Sequence, residues 1–136
     1  MFEYKCKLLR VVDGDTIDVD IDLGFGVWMR KQRIRMYGID SPESRTRDQE
    51  EKKYGLASKN FLKGMCDDEQ GLIIKTKKDG KGKFGRILGE MWRITNFADK
   101  SINQYCIDKH HAVAYFGQSK IDIEEQHIKN RELVTL

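Results

Sequence analysis

From Thr16 to Leu23 the chain alternates without a break, with Ile17, Val19, Ile21 and Leu23 on one side and Asp18, Asp20 and Asp22 on the other. A period of two marks a strand with one face buried and one face in water. Parallel sheets bury both faces, so this strand belongs to an antiparallel sheet. The turns that bracket it supply its partners. Asp13-Gly14-Asp15 before it reads as a sharp turn, with Gly14 free to take a positive φ, and Gly24-Phe25-Gly26 follows it. Tyr4 to Val12 is then a first strand and Val27 to Ile39 a long third one. Ile34 and Met36 share one face of that third strand, and Arg33, Arg35 and Tyr37 the other. The meander curls into a sheet or small barrel, with Asp13 and Asp15 at one hairpin tip.

The rest of the chain supplies helices and two more strands. Arg45 to Glu50 is polar and reads as a loop. Asp48-x-x-Glu51 resembles a capping box that opens a helix running to about Cys66. Tyr54, Ala57, Ser58, Phe61, Leu62 and Met65 make its core-facing stripe. Leu72 to Lys77 and Arg86 to Ile94 are strands joined by a lysine- and glycine-rich turn. A second helix is expected from about Asp99 to Lys109, with Ile102, Tyr105 and Cys106 inward. An extended piece, Ala112 to Phe116, and a mostly polar helix from Ile121 to about Glu132 complete the chain. The expected fold is α+β, mainly β: a five-stranded barrel of the OB type with about three helices, in one domain over residues 1–136.

Composition sets limits. A chain of 136 residues can bury a core without covalent staples, and 39% apolar with 35% charged residues describes a globular domain with a very polar surface. The net charge of +3, from 25 basic and 22 acidic residues, is too small to name a nucleic-acid partner by itself. Cys6, Cys66 and Cys106 lack a pairing pattern and read as reduced, buried thiols. The N-terminus lacks the apolar run of a signal peptide, and no stretch could span a membrane. The expectation is a cytoplasmic monomer, secreted only if a leader has been removed.

Chemistry concentrates in Ile34 to Glu43. Pro42, the chain's single proline, stiffens the turn and pushes Ser41 out of helical geometry. Arg35, Asp40 and Glu43 are thereby held at fixed offsets. If the hairpin tip and the end of the third strand are neighbours, Asp15 and Asp40 meet at one rim. With the Ser41 carbonyl, Glu43 and waters they would make an all-oxygen site for a hard cation, calcium or magnesium. Asp-Gly-Asp can equally serve only to make a turn. Asp18, Asp20 and Asp22 open like an EF-hand loop, but Leu23 and Met29 stand where it needs glycine and an acid, so these aspartates read as a solvated strand face. Lys77, Lys78, Lys81, Lys83 and Arg86 form either an ordinary hairpin with solvated lysines or a phosphate cradle. His110 and His111 diverge on a helix and His127 is remote in sequence, so the histidines read as solvated or capping.

Val12-Asp13-Gly14-Asp15-Thr16, Arg35 with Asp40-Ser41-Pro42-Glu43, and Lys83-Phe84-Gly85-Arg86 together resemble the staphylococcal nuclease (thermonuclease-like) family. Tyr54-Gly55, Val113-Ala114-Tyr115 and Glu125-Gln126-His127 extend the likeness, in the family's order, from about Tyr4 to at least His127. The resemblance implies an OB-type barrel with three helices and a calcium-dependent phosphodiesterase acting on DNA and RNA, single strands preferred, with 3′-phosphate products. It implies that Asp15, Asp40 and the Ser41 carbonyl hold Ca2+, with Asp13 as outer support. Arg35 and Arg86 would stabilise the phosphorane-like transition state, Glu43 would position the attacking water, and Lys83 and Tyr115 would bind substrate. Serine replaces the usual threonine at Ser41, which is tolerated if only its carbonyl binds metal. Phenylalanine for a tyrosine at Phe84 and glycine for a second tyrosine at Gly117 point to altered substrate preference or affinity. The alternative is a non-catalytic nucleic-acid-binding OB module, which has no reason to retain Asp15, Arg35, Asp40, Glu43 and Arg86 as a set.

Overall fold

The computed structural model describes residues 2–77 and 87–136. Five strands close into a barrel in the order β1 (Glu3–Asp13), β2 (Thr16–Gly24), β3 (Val27–Met36), β6 (Ile87–Arg93) and β5 (Leu72–Lys77). β1 pairs antiparallel with β5, and β3 pairs parallel with β6, which closes the ring. A separate two-stranded ladder joins β4 (Ile39–Asp40) to β7 (Val113–Ala114). Three helices, α1 (Gln49–Met65), α2 (Ile102–Asp108) and α3 (Lys120–Arg131), complete the fold. This is the five-stranded, three-helix arrangement expected from the sequence.

The barrel interior is aliphatic. Ile17, Val19, Ile34, Leu72, Ile74 and Met91 are fully buried, and α1 and α2 cover the core with Leu62 and Ile102. Asp48 caps α1 by accepting from the Glu50 and Glu51 amides. Arg93, at the end of β6, donates to the Gly64, Met65 and Asp67 carbonyls at the other end of α1. All three cysteines are free and buried, and burial pushes the Cys6 and Cys66 thiols up to about 12, so these two are packing groups and not nucleophiles.

The alternation in β2 holds except at Asp20 and Leu23. Asp20 is buried, not solvated. β3 carries a bulge that sets Arg30 and Lys31 against this one residue, and Lys31 takes a positive φ there. The bulge strips the Lys31 amide of its ladder partner, and the Asp20 carboxylate accepts from it at 2.9 Å while pairing with Arg30 at 3.1 Å. Leu23 lies at the exposed end of the hairpin, beyond the barrel wall.

The third strand also stops earlier than expected. Met36 is its last residue, and Gly38, with φ of +77°, turns the chain so that Ile39–Asp40 leaves the barrel and pairs with Val113–Ala114. Asn103 of α2 fixes this corner. Its Nδ2 donates to the Tyr37 carbonyl at 2.8 Å and the Gly89 carbonyl at 3.2 Å, and its Oδ1 accepts from the Met91 amide at 2.9 Å. Replacing it by leucine removes the partner of the Met91 amide and of the Tyr37 carbonyl, whereas the Gly89 carbonyl still accepts from the Tyr37 amide at 2.9 Å. Asn103→Leu is expected to cost about 1–3 kcal/mol for each group left unpaired, read as a lower urea midpoint. An unchanged midpoint contradicts this role.

Candidate active site

The β1–β2 turn and the end of β3 meet because of one backbone bond and one side chain. The Met36 amide donates to the Asp15 carbonyl at 2.9 Å, placing the turn against the strand end. The Asp15 carboxylate then accepts from the Ser41 amide at 3.0 Å and the Thr16 hydroxyl at 2.9 Å. Asp15 thus ties together two stretches that are 26 residues apart.

Gly14 is needed here for space and not for a positive φ. A Cβ on it would lie 2.7 Å from the Ser41 Cβ and 2.8 Å from the Ser58 Cβ, and its φ is outside the left-handed region. The turn therefore rests directly on the loop and on α1. Ser58 is held by its own bond to the His111 carbonyl, at 2.7 Å.

Arg35 lies between the two aspartates. Its Nη1 is 3.4 Å from Asp15 Oδ2 and its Nη2 is 3.6 Å from Asp40 Oδ1, and the guanidinium is largely buried at 16% exposure. Each nitrogen faces a different carboxylate, a geometry that only the planar guanidinium offers. Glu43 stands at the solvent edge of this group. Partial desolvation, then the charges of Asp13, Asp15 and Asp40, hold its carboxyl above the usual glutamate range. Burial, joined by the Asp15 charge, raises Asp13 as well. Among the described residues Asp15 and Asp40 thus flank Arg35, with Asp13 and Glu43 close enough to feel the charge of neighbouring carboxylates.

The donor set suits a hard cation. Its members are oxygens, and after desolvation the charges of neighbouring carboxylates act on Glu43 and Asp13. Among the described residues no three His, Cys, Asp or Glu side chains stand together as a ready cage. Asp15 and Asp40 face Arg35 instead. The fit is to a cation that takes few protein ligands and keeps waters. Ser41 is buried and its Oγ lies back under Gly14, with no partner among the described residues.

Tyr115 belongs to the same corner. Its amide donates to the Gly38 carbonyl at 2.8 Å, directly after the ladder that pairs Asp40 with Val113. The Tyr115, Tyr37 and Phe116 rings are all exposed, and the last two meet edge to face. Lys83 and Arg86, with the rest of the lysine- and glycine-rich turn from Lys78, lie outside the described residues.

One group escaped the sequence reading. The His127 side chain is 12% exposed, and its Nε2 is 2.8 Å from Asp40 Oδ2. The signal was present: Ile123, the one buried residue of α3, is four positions earlier and so on the same helical face. His111 is likewise not solvated but stacked on Phe61, with its imidazole pKa lowered by burial and by His110.

A sequence model of the family described as staphylococcal nuclease homologue matches residues 33–133. The chain belongs to the staphylococcal nuclease homologue family. Among similar proteins are a thermonuclease of Staphylococcus hyicus, 32% identical over 90 residues (66% of this chain, 49% of the relative), and one of Staphylococcus intermedius, 32% identical over 83 residues (61% and 45%). Protein ParB of Escherichia coli is 31% identical over 90 residues, 66% of this chain and 42% of that protein. The matched part of the chain spans about half the length of the thermonucleases.

In this member of the family the loop carrying Glu43 is held down by α1. A Cβ on Gly55 would lie 2.1 Å from the Glu43 carbonyl oxygen and 2.6 Å from the Ser44 amide nitrogen. Both are backbone, so the loop itself would have to move. Gly55→Ala is expected to destabilise the chain by about 1–3 kcal/mol despite the better helix propensity of alanine. Thermal denaturation checks the sign, and a stabilised variant contradicts the contact.

Proposed function

We propose that this chain is a calcium-dependent nuclease that hydrolyses DNA and RNA with little sequence specificity, preferring single strands. The observation that carries the reading is the convergence of Asp15 and Asp40 on Arg35, with Glu43 at the edge of the same rim. Membership of the staphylococcal nuclease homologue family supports it, as do the thermonuclease relatives. A purely binding barrel needs no such crowding of carboxyl groups, which repels a phosphodiester unless a cation is present.

Asp15, Asp40 and the Ser41 carbonyl would hold Ca2+, which when bound supplies the positive charge that lets an anionic substrate approach. Arg35 then has a phosphate oxygen to bind as charge builds on the five-coordinate phosphorus. Arg86 would bind a second such oxygen, and Lys83 the adjoining backbone. Glu43 orients the attacking water and accepts its proton. Partial desolvation and neighbouring carboxylates raise the Glu43 pKa in the cation-free chain, and a bound cation would lower it, so positioning the water is the main part of its role. The water oxygen bonds to phosphorus, the bond to the 5′ oxygen breaks, that oxygen takes a proton from solvent, and the products are a 3′-phosphate and a 5′-hydroxyl. Tyr115, with the exposed Tyr37 and Phe116 rings, offers faces on which unpaired bases stack, which favours single strands. The proposed working unit is a monomer.

Turnover of labelled single-stranded DNA tests this reading. Wild type is expected to cleave in calcium and to stop in chelator. Arg35→Ala and Glu43→Gln are each expected to lose about 10²–10³ in rate, roughly 2.7–4 kcal/mol, as for removal of one transition-state donor. Retained binding without cleavage in calcium, magnesium or manganese would leave the non-catalytic binding module. Near-normal turnover in either variant removes that residue from the mechanism.

A further inference from the structure

We propose that His127 is a positioning residue for the cation site: from α3 it fixes the rotation of the Asp40 carboxylate, so that Oδ1 is presented on the Arg35 side of the rim. The inference rests on the cation site proposed above. A carboxylate can only accept, so with Asp40 ionised the proton in the 2.8 Å contact belongs to His127 Nε2. The ring is largely buried, its Nδ1 has no partner among the described residues, and Asp40 is its one polar contact there.

The bond acts on a soft degree of freedom. The terminal torsion of aspartate is broad and nearly twofold, so an unrestrained carboxylate exchanges its two oxygens freely. The backbone of Asp40 is already pinned by its ladder partner Val113. His127 removes the remaining freedom by engaging Oδ2, while Oδ1 faces Arg35 at 3.6 Å. A cation then meets a ligand that is already oriented. Groups that orient metal ligands in this way typically change metal affinity by about 10–100-fold.

The helix that carries this histidine is lightly held. Ile123 is its one buried residue; Asn130 Nδ2 reaches the Ala112 carbonyl at a long 3.4 Å, and the Arg131 guanidinium lies 5.5 Å from the Tyr54 ring centre. The Asp40 bond is therefore a large share of what seats α3. Cation binding and helix docking are linked through it.

Calorimetric titration of Ca2+ into the chelator-stripped full chain tests the proposal, with thermal denaturation in chelator run beside it. His127→Leu is expected to weaken binding by about 10–100-fold. His127→Gln keeps an N–H donor at about the reach of Nε2 and is expected to bind within about threefold of wild type. A His127→Leu variant that binds like wild type overturns the inference and leaves the cation site standing. So does a tenfold loss in His127→Gln, which also decides the matter if the leucine variant does not fold. A wild type that binds no divalent cation overturns the cation site and this inference together.

Discussion

Arg35, shared between Asp15 and Asp40, is the interaction on which the rest of the rim depends. Two carboxylates brought onto one corner of a small barrel repel each other, and the contact is maintained because the guanidinium presents a separate nitrogen to each. Asp13 and Glu43 nearby stay above their ordinary ranges, first through desolvation and then through the charges of neighbouring carboxylates. A cation at this corner, as proposed, would offset the crowding of carboxylates and let an anionic substrate approach.

The scaffold around Arg35 reads as a set of clamps on irregular backbone. Asn103 holds the Tyr37–Gly38 corner to β6, and the Val113 pairing holds Asp40. Gly55 lets α1 press on the Glu43 loop, and Gly14 lets the β1–β2 turn sit on Ser41. Each clamp comes from a different element, so the rim is assembled only when barrel and helices have packed. This is rigid support of the kind a site needs if its geometry is to be set before ligand arrives.

Much of this was legible in the chain. The unbroken alternation after Thr16 and the turns beside it specify the meander, and the spacing of Arg35, Asp40 and Glu43 around one proline marks the rim. Periodicity failed where a tertiary contact overrode it. Asp20 keeps the strand period yet is buried, because a bulge on the neighbouring strand exposes the Lys31 amide to it. Gly14 suggested a left-handed turn, and its actual reason, contact with Ser41 and Ser58, involves residues 27 and 44 positions away. The inward face of α3 was legible from Ile123 four positions before His127, but the partner of His127, 87 residues distant, was not.

The proposed cation site lies in the corner between Asp15 and Asp40. Anomalous diffraction from crystals grown with calcium tests it most directly. The account predicts one strong anomalous peak coordinated by both carboxylates, with Arg35 displaced from at least one of them. A corner without such a peak at saturating calcium, with Arg35 still bridging Asp15 and Asp40, would contradict it.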